Sequence, residues 1–179
     1  MKHQALLAAA SLIFLGSIVT SAAVPQAQKA PAKPTAELLA KNVGEFTAAE
    51  EDEFATAAEA TLERVCILCH PFENITKTRR TVREWNDQVT TMAQRGAPGT
   101  EPDFTLVKKY LTRYYGIVRV NSASAEELSA VLGLPPKVAA AVVEYRTANG
   151  KFADMAALEK VAGIDKAKLE EQPEAIRFD

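Results

Sequence analysis

Apolar positions between about residues 45 and 116 recur at intervals of three and four, which predicts amphipathic helices. At the start of this segment, Thr47 and Glu50 have the spacing of a capping box that opens a helix. A second stripe contains Trp85 and Met92 on one face, and glycine and proline residues follow it. We predict three helices here, at about Thr47–Cys66, Thr81–Arg95 and Thr100–Tyr115.

The remaining residues, 117–179, predict shorter helices arranged as an internal repeat. The stretch from Leu128 to Leu134 resembles the stretch from Leu158 to Ile164, and each contains a glycine that ends a helix. The two repeats form two helix-turn-helix units joined by a loop around Phe152. The whole pattern predicts an all-α fold with two domains, residues 45–116 and 117–179.

The N-terminus has the pattern of an exported protein. Lys2 and His3 precede an apolar run from Ala5 to Val19, and small residues follow at the spacing of a cleavage site. We expect a signal peptide at 1–23 and a flexible linker at 24–44, with the rest of the chain periplasmic or exported. The run is shorter than the roughly 20 residues of a membrane span. An uncleaved signal would instead leave a membrane anchor.

Composition and charge narrow the function classes. The chain of 179 residues is 47% hydrophobic and 25% charged, with a formal net charge of −2. This balance is globular and predicts no strong attraction to nucleic acid or to acidic membranes. Both cysteines lie in one motif, which leaves none for a disulfide framework.

That motif, Cys66-Ile67-Leu68-Cys69-His70, has the C-x-x-C-H spacing of covalent haem attachment. Two thiols separated by two residues can each add to a vinyl group of one porphyrin. The adjacent histidine then lies under the iron as an axial ligand. We expect one haem c, with thioethers at Cys66 and Cys69 and with His70 as the proximal ligand.

Two other uses of these residues agree less well with their context. A redox C-x-x-C is expected between a strand and a helix, whereas this one ends a helix in a helical segment. A structural zinc site needs about four ligands, mostly Cys or His. The expected mature chain offers only Cys66, Cys69 and His70 of those types.

The second axial ligand follows partly by elimination. His3 would leave with the signal peptide, so the mature chain has no second histidine. Met92 lies on the apolar face of the second helix, while Met155 lies in the other domain, so we expect Met92 to ligate the iron. The alternative is that Met92 is an ordinary core methionine, which would leave the iron open.

Other residues near the motif are candidates for haem contacts. Trp85 is expected to pack on the haem. A basic stretch precedes the second helix, and one or two of its members could pair with haem propionates, although such residues often only solvate a loop. The stretch contains Lys77, Arg79, Arg80 and Arg83.

The first domain resembles the haem-binding domain of quinohaemoprotein amine dehydrogenase α subunits and related single-haem cytochromes. The resemblance rests on Cys66–His70, Arg79–Thr81, Trp85, Val89, Met92, Gly96–Ala97, Tyr110–Leu111 and Tyr115–Gly116. It implies a small helical cytochrome c domain. The second haem and the other domains of that subunit are missing, so the resemblance implies electron transfer and not amine oxidation.

The second domain resembles the tandem helix-hairpin-helix domain of competence-type DNA receptors. The resemblance rests on Val120–Leu128, Glu144–Arg146 and Asn149–Phe152. In that family each hairpin is Gly-x-Gly, and its N–H groups hold a DNA phosphate. A similar fold also serves as an extrinsic subunit of photosystem II, so the domain can work without DNA.

The hairpins of this chain depart from that pattern. Pro135 and Pro136 remove two donors from the first hairpin, and Asp165 is expected to cap the helix that follows the second. From residue 119 onward there are eight basic and ten acidic residues, whereas duplex binding favours a basic face. These features disfavour DNA and favour a protein-docking or structural role.

The sequence as a whole indicates an electron carrier and not an enzyme, with a dehydrogenase or an oxidase as redox partner. Two alternatives stay open: an exported cytochrome that binds DNA, and a haem enzyme or gas sensor with an open distal site. Ile117 and Val118 leave little room for a linker, so we expect the two domains to lie close together.

Overall fold

The structure is a computed structural model that describes residues 35–179. The predicted signal peptide, 1–23, and residues 24–34 of the predicted linker lie outside the described residues. The described part is helical apart from two strands of two residues each, so the predicted fold class is confirmed. It forms one compact unit, so the close arrangement expected of the two halves is found.

The three helices predicted in the first half are present to within one or two residues. They are α2, α4 and α5, and each begins with a threonine whose side chain accepts a hydrogen bond in a full capping box. A shorter helix, α3, lies between α2 and α4; no side chain caps it, and the sequence pattern did not predict it. The helices of this half are α1 Ala36–Ala40, α2 Ala48–Val65, α3 Phe72–Thr76, α4 Val82–Gln94 and α5 Glu101–Tyr115.

The predicted linker, 24–44, extends too far toward the C-terminus. Helix α1 and a 3-10 turn at Val43–Glu45 occupy its last part, and Leu38 and Val43 are buried. The Lys109 ammonium donates to the main-chain oxygens of Leu39 and Lys41 at the end of α1. This segment is folded because its apolar side chains are buried and because the Lys109 ammonium bonds to the main-chain carbonyls at the end of α1.

The core of the first half forms where α2, α4 and α5 pack together. Phe54, Trp85 and Val107 are fully buried there. Burial of such side chains stabilises the domain by about 1.5–3 kcal/mol each. Trp85 lies at the end of this core nearest the C-x-x-C-H motif.

The second half consists of two helical hairpins, as the repeat predicts. Gly133, between α6 and α7, has φ +64, and Gly163, between α8 and α9, has φ +86. Glycine adopts this left-handed conformation without strain, so each turn can reverse sharply. The helices are α6 Ala125–Leu132, α7 Pro136–Asn149, α8 Met155–Leu158 and α9 Lys166–Glu170.

Two parallel strands close the second half, β1 Val118–Arg119 and β2 Ile176–Arg177. Asn121 secures this closure, because its side-chain amide donates to the main-chain oxygens of Phe152 (3.0 Å) and Phe178 (2.7 Å). It also accepts a hydrogen bond from the main-chain N–H of Phe152. The pairing joins residues almost 60 positions apart, which local sequence patterns cannot predict.

Candidate functional site

The C-x-x-C-H motif lies in a tight turn directly after α2. The N–H of Cys66 donates to Leu62 O (2.8 Å), and Cys69 N lies 3.4 Å from Cys66 O, so the chain bends back on itself. Cys66 is half-buried and Cys69 is exposed, and neither forms a disulfide. Burial, followed by the nearby Cys69, raises the pKa of the Cys66 thiol. The turn thus places two free thiols and His70 within five residues.

A cavity of about 400 Å³ lies beside this turn. Its lining includes Cys66, His70 and Met92, so three of the four predicted site residues share one cavity. Cys69 does not line it and lies in the exposed part of the turn. The volume is of the size of small-molecule and cofactor pockets.

The wall of the cavity is largely apolar. Trp85 is fully buried and contributes to it, together with Val89, Phe104 and Val107. The indole Nε1 of Trp85 donates to Tyr115 O (3.0 Å). The only polar atom of this side chain therefore has a hydrogen-bond partner although it is buried. The predicted role of Trp85 as a packing surface agrees with this position.

Three cations and no carboxylate line the cavity: Lys77, Arg80 and Arg95. The Arg80 guanidinium lies 5.0 Å from the centre of the Trp85 ring and donates to Thr78 O (2.9 Å). In the part of the chain that the structure describes, none of the three forms an ion pair. The cavity therefore presents positive charge without its own counter-charge, which favours an anionic ligand.

The structure separates the members of the basic stretch that the sequence could not distinguish. Arg79 turns away from the cavity and donates to Tyr114 O (3.1 Å) and Gly116 O (3.3 Å), and it pairs with Glu174. Arg83 is exposed and does not line the cavity. Arg95 does line it, and sequence reasoning missed Arg95; its position just after α4 was the one available signal.

His70 carries an unsatisfied atom. Its ring nitrogen Nδ1 is buried and has no hydrogen-bond partner among the described residues. A buried polar atom without a partner costs about 1–3 kcal/mol. Bonding to a ligand or a metal is a way to recover that free energy, since neutral imidazole is a common metal ligand. Within residues 35–179 no three His, Cys, Asp or Glu side chains lie together as a ready metal site.

These features fit a covalently attached haem. The turn supplies two thiols and an imidazole with an unsatisfied nitrogen, and the lining of the same cavity supplies a thioether at Met92. The cavity offers apolar surface for a macrocycle and cations for two carboxylates. Two large apolar side chains of the turn, Ile67 (37% exposed) and Leu68 (71%), are exposed beside Cys69.

The two hairpins of the second half differ in exposure. In the first, Gly133 and Leu134 are buried while Pro135 and Pro136 are exposed, and the N–H of Val138 donates to Pro135 O within the chain. In the second, Gly163 and Asp165 are exposed. Asp165 Oδ1 accepts from the N–H of Lys168 (3.4 Å), which confirms the predicted cap.

Comparisons with known proteins bear on this second half. A family model described as a helix-hairpin-helix motif matches residues 115–177. The chain is also similar to ComE operon protein 1 of Bacillus subtilis (strain 168), with 37% identity over 54 residues. That similarity covers 30% of this chain and 26% of the relative. No solved structure matches.

The class of protein that follows is one that is mostly helical over residues 35–179, with a helix-hairpin-helix domain at the C-terminal end. The predicted helix-hairpin-helix domain is thereby confirmed. The chain spans about a quarter of the length of the relative it matches. Among residues 35–179, no helix is both long and apolar enough to cross a membrane.

Proposed function

We propose that the chain is a c-type haem protein in which Cys66 and Cys69 carry the thioethers. His70 and Met92 would hold the iron. The observation that carries the proposal is the cavity shared by Cys66, His70 and Met92, which has three cations and no acidic group in its wall. A haem bound there supplies reversible one-electron chemistry. The chain would attach it through Cys66 and Cys69 and hold its iron with His70 and Met92, and Trp85 would exclude water.

The proposed activity is electron transfer by an exported protein. Covalent haem attachment and the signal-like N-terminus support a periplasmic or exported location, with a membrane anchor as the alternative if the signal stays. Exposed Ile67 and Leu68 beside the proposed haem support a docking face for a redox partner, because large apolar side chains in solvent mark contact surfaces. A dehydrogenase or an oxidase is the partner class that such a carrier would serve.

The test is expression of the full chain with an export signal and a haem-attachment system. We expect haem that stays with the polypeptide on a denaturing gel and a low-spin absorption spectrum. Cys66→Ser with Cys69→Ser should abolish covalent attachment, while Ile67→Ser, in the same turn, should retain it. Purified wild-type protein with no covalent haem would refute the proposal.

Carbon monoxide separates the carrier from an enzyme or a gas sensor. A reduced protein whose iron is closed by Met92 should show no spectral change with carbon monoxide. A shift on addition of the gas would mean an open iron, and peroxidase or sensor chemistry would then replace electron transfer as the proposed activity.

A second candidate function is nucleic-acid binding by the helix-hairpin-helix domain. The family match over residues 115–177, the similarity to ComE operon protein 1 and the exposed second hairpin favour it. Lys166 and Lys168 follow that hairpin and are exposed, and Lys166 pairs with Glu159. The domain otherwise carries more acidic than basic residues from 119 onward, which disfavours a strong phosphate interaction.

A gel-shift assay of the full chain with a duplex of about 30 base pairs at low salt tests this second candidate, because non-specific binding is strongest there. Retarded duplex at micromolar protein, lost at higher salt, supports binding. An unshifted duplex at that concentration excludes it and leaves docking to a protein as the role of the domain.

A further inference from the structure

The first hairpin is in contact with the N-terminal segment of the same chain. A Cβ atom placed on Gly44 would lie 1.9 Å from Leu134 O and 2.5 Å from Leu134 C. Since no real side chain tolerates such a distance, the main chains of the two segments touch directly. Leu134 is 2% exposed as a result, although it lies in the loop of the hairpin.

A polar contact accompanies this close approach. Ser129 Oγ, in α6, lies 2.7 Å from Asn42 Oδ1 and 2.6 Å from Leu134 O, and its hydroxyl can donate to one of them. Asn42 Oδ1 also accepts from the N–H of Gly44 (2.8 Å), which fixes the amide in this orientation. Ser129 is 1% exposed, so the contact is shielded from water.

Side chains from two other elements cover the end of α6. Arg113, in α5, donates to Gln172 Oε1 (3.0 Å) and lies 3.4 Å from Val131 O. Gln172 in turn donates to Leu132 O (3.1 Å), so the last carbonyls of α6 are satisfied within the chain. The Arg113 guanidinium also lies 3.1 Å from where a Cβ of Gly133 would be.

The second hairpin has no such cover. Gly163, Asp165 and Lys166 are exposed, and Lys166 pairs with Glu159 of the same hairpin unit. The nearest side-chain atom to a Cβ on Gly163 belongs to Val138, within the same domain. The two repeats therefore have the same fold but opposite surroundings.

We infer that the first hairpin is an internal docking site, occupied by residues 42–45 and by Arg113, and that it is thereby closed to an external ligand. It is the joint that fixes the helix-hairpin-helix domain to the first half. This inference is independent of haem attachment, because it concerns main-chain contacts outside the cavity.

Amide hydrogen exchange on the full chain tests this inference. Exchange is followed on peptides that span 128–138 and 155–170. Asn42→Ala should speed exchange at 128–138 by roughly tenfold, the effect of one lost hydrogen bond, and change 155–170 by less than twofold. Asn149→Ala is the matched control, since its amide bonds only within α7 (Tyr145 O, 2.9 Å), and it should leave 128–138 unchanged.

Gly44→Val is the stronger variant, because its side chain would collide with Leu134 O. We expect it to release the first hairpin, with faster exchange at 128–138 and retained protection in α5.

If this variant does not accumulate as folded protein, the result with Asn42→Ala alone decides the inference. Exchange at 128–138 within twofold of wild type in Asn42→Ala overturns the inference, as does faster exchange spread equally over α5 and 155–170. The experiment measures neither haem spectra nor duplex binding. A negative result would therefore refute this inference without bearing on either proposed function.

Discussion

Trp85 and Tyr115 are joined by a hydrogen bond from the indole Nε1 to the main-chain oxygen, at 3.0 Å. The same oxygen accepts from the N–H of Arg80 (3.2 Å), and Arg80 O accepts from the N–H of Ile117 (2.9 Å). The wall of the cavity is thus tied to the residues where the helix-hairpin-helix domain begins. One buried residue links the candidate cofactor site to the domain that follows it.

Removal of this indole donor should destabilise the protein modestly. Trp85→Phe keeps an aromatic ring but leaves Tyr115 O with Arg80 as its partner, so we expect a loss of about 1–2 kcal/mol in the free energy of unfolding. Urea denaturation followed by circular dichroism measures it. Gln88→Ala, at an exposed position of α4, should change the value by less than about 0.5 kcal/mol. Equal effects of the two variants would contradict this account.

Replacement of Met92 should open the iron of the haem-loaded protein. Met92→Ala removes the thioether from the cavity, so we expect loss of the methionine-to-iron absorption band and a new response to carbon monoxide. Met155→Ala is the matched control, since Met155 packs in the core of the other half. Unchanged bands in Met92→Ala would remove this residue from the proposed ligand set.

Arg80 should raise the midpoint potential of a haem in this cavity. Its positive charge favours the reduced iron, which carries less positive charge than the oxidised iron. Arg80→Gln should therefore lower the potential in a spectroscopic redox titration. Arg83→Gln is the control, because Arg83 lies two residues into the next helix, exposed and outside the cavity lining. An equal shift in both variants would indicate general surface charge and not a specific contact.

The acid stability of the fold should depend on Asp103. Burial acts to raise the pKa of its carboxyl group, but hydrogen bonds from Arg64 (2.7 Å) and from Thr100 outweigh it and lower the pKa to about 2. A depressed pKa stabilises the folded state above the unfolded value near 4, and this stabilisation is lost as the pH falls toward 2.

Asp103→Asn should therefore cost roughly 1–2 kcal/mol at pH 7 and much less near pH 2, because the wild type has by then lost the same interaction. Chemical denaturation across pH 2–7 shows the difference. Glu84→Gln changes the equivalent cap of α4 in an exposed setting, so its effect should be smaller. A pH-independent loss in Asp103→Asn would show that the carboxylate charge is unimportant.

Duplex binding, where it occurs, should depend on the second hairpin. Lys166→Glu with Lys168→Glu reverses two exposed charges there, and we expect affinity to fall roughly tenfold or more with a shallower salt dependence. Lys137→Glu reverses an exposed charge just after the first hairpin, whose Gly133 and Leu134 are buried, and it should have an effect within about twofold. A larger loss of duplex affinity with Lys137→Glu would show that nucleic acid binds at the first hairpin. That result would contradict the inference that residues 42–45 occupy this hairpin.

Much of the fold follows from local signals in the sequence. Thr47, Thr81 and Thr100 each open a helix with a capping box, and the apolar stripes fix where those helices face. Such signals act within one or two turns, so they can be read from neighbouring residues. Gly133 and Gly163 mark the two hairpins for the same reason.

The segment 36–45 shows where local reading fails. Its composition is that of a linker, yet Leu38 and Val43 are buried. The carbonyls of α1 are satisfied by Lys109, about 70 residues away. Its stability therefore arises from residues that are distant in sequence. These contacts cannot be predicted from the sequence of the segment itself.

Local patterns in the chain are sufficient to predict the helices, the hairpin repeat and the spacing of Cys66, Cys69 and His70, because these depend on residues close together in the sequence. Tertiary packing places Met92 and Arg80 in the lining of one cavity with His70, while Arg79 turns away. It also decided that the first hairpin is covered and the second is open. Packing between distant elements sets which side of a helix or turn is exposed to solvent. Here the contacts of α5 and of residues 42–45 bury part of the first hairpin.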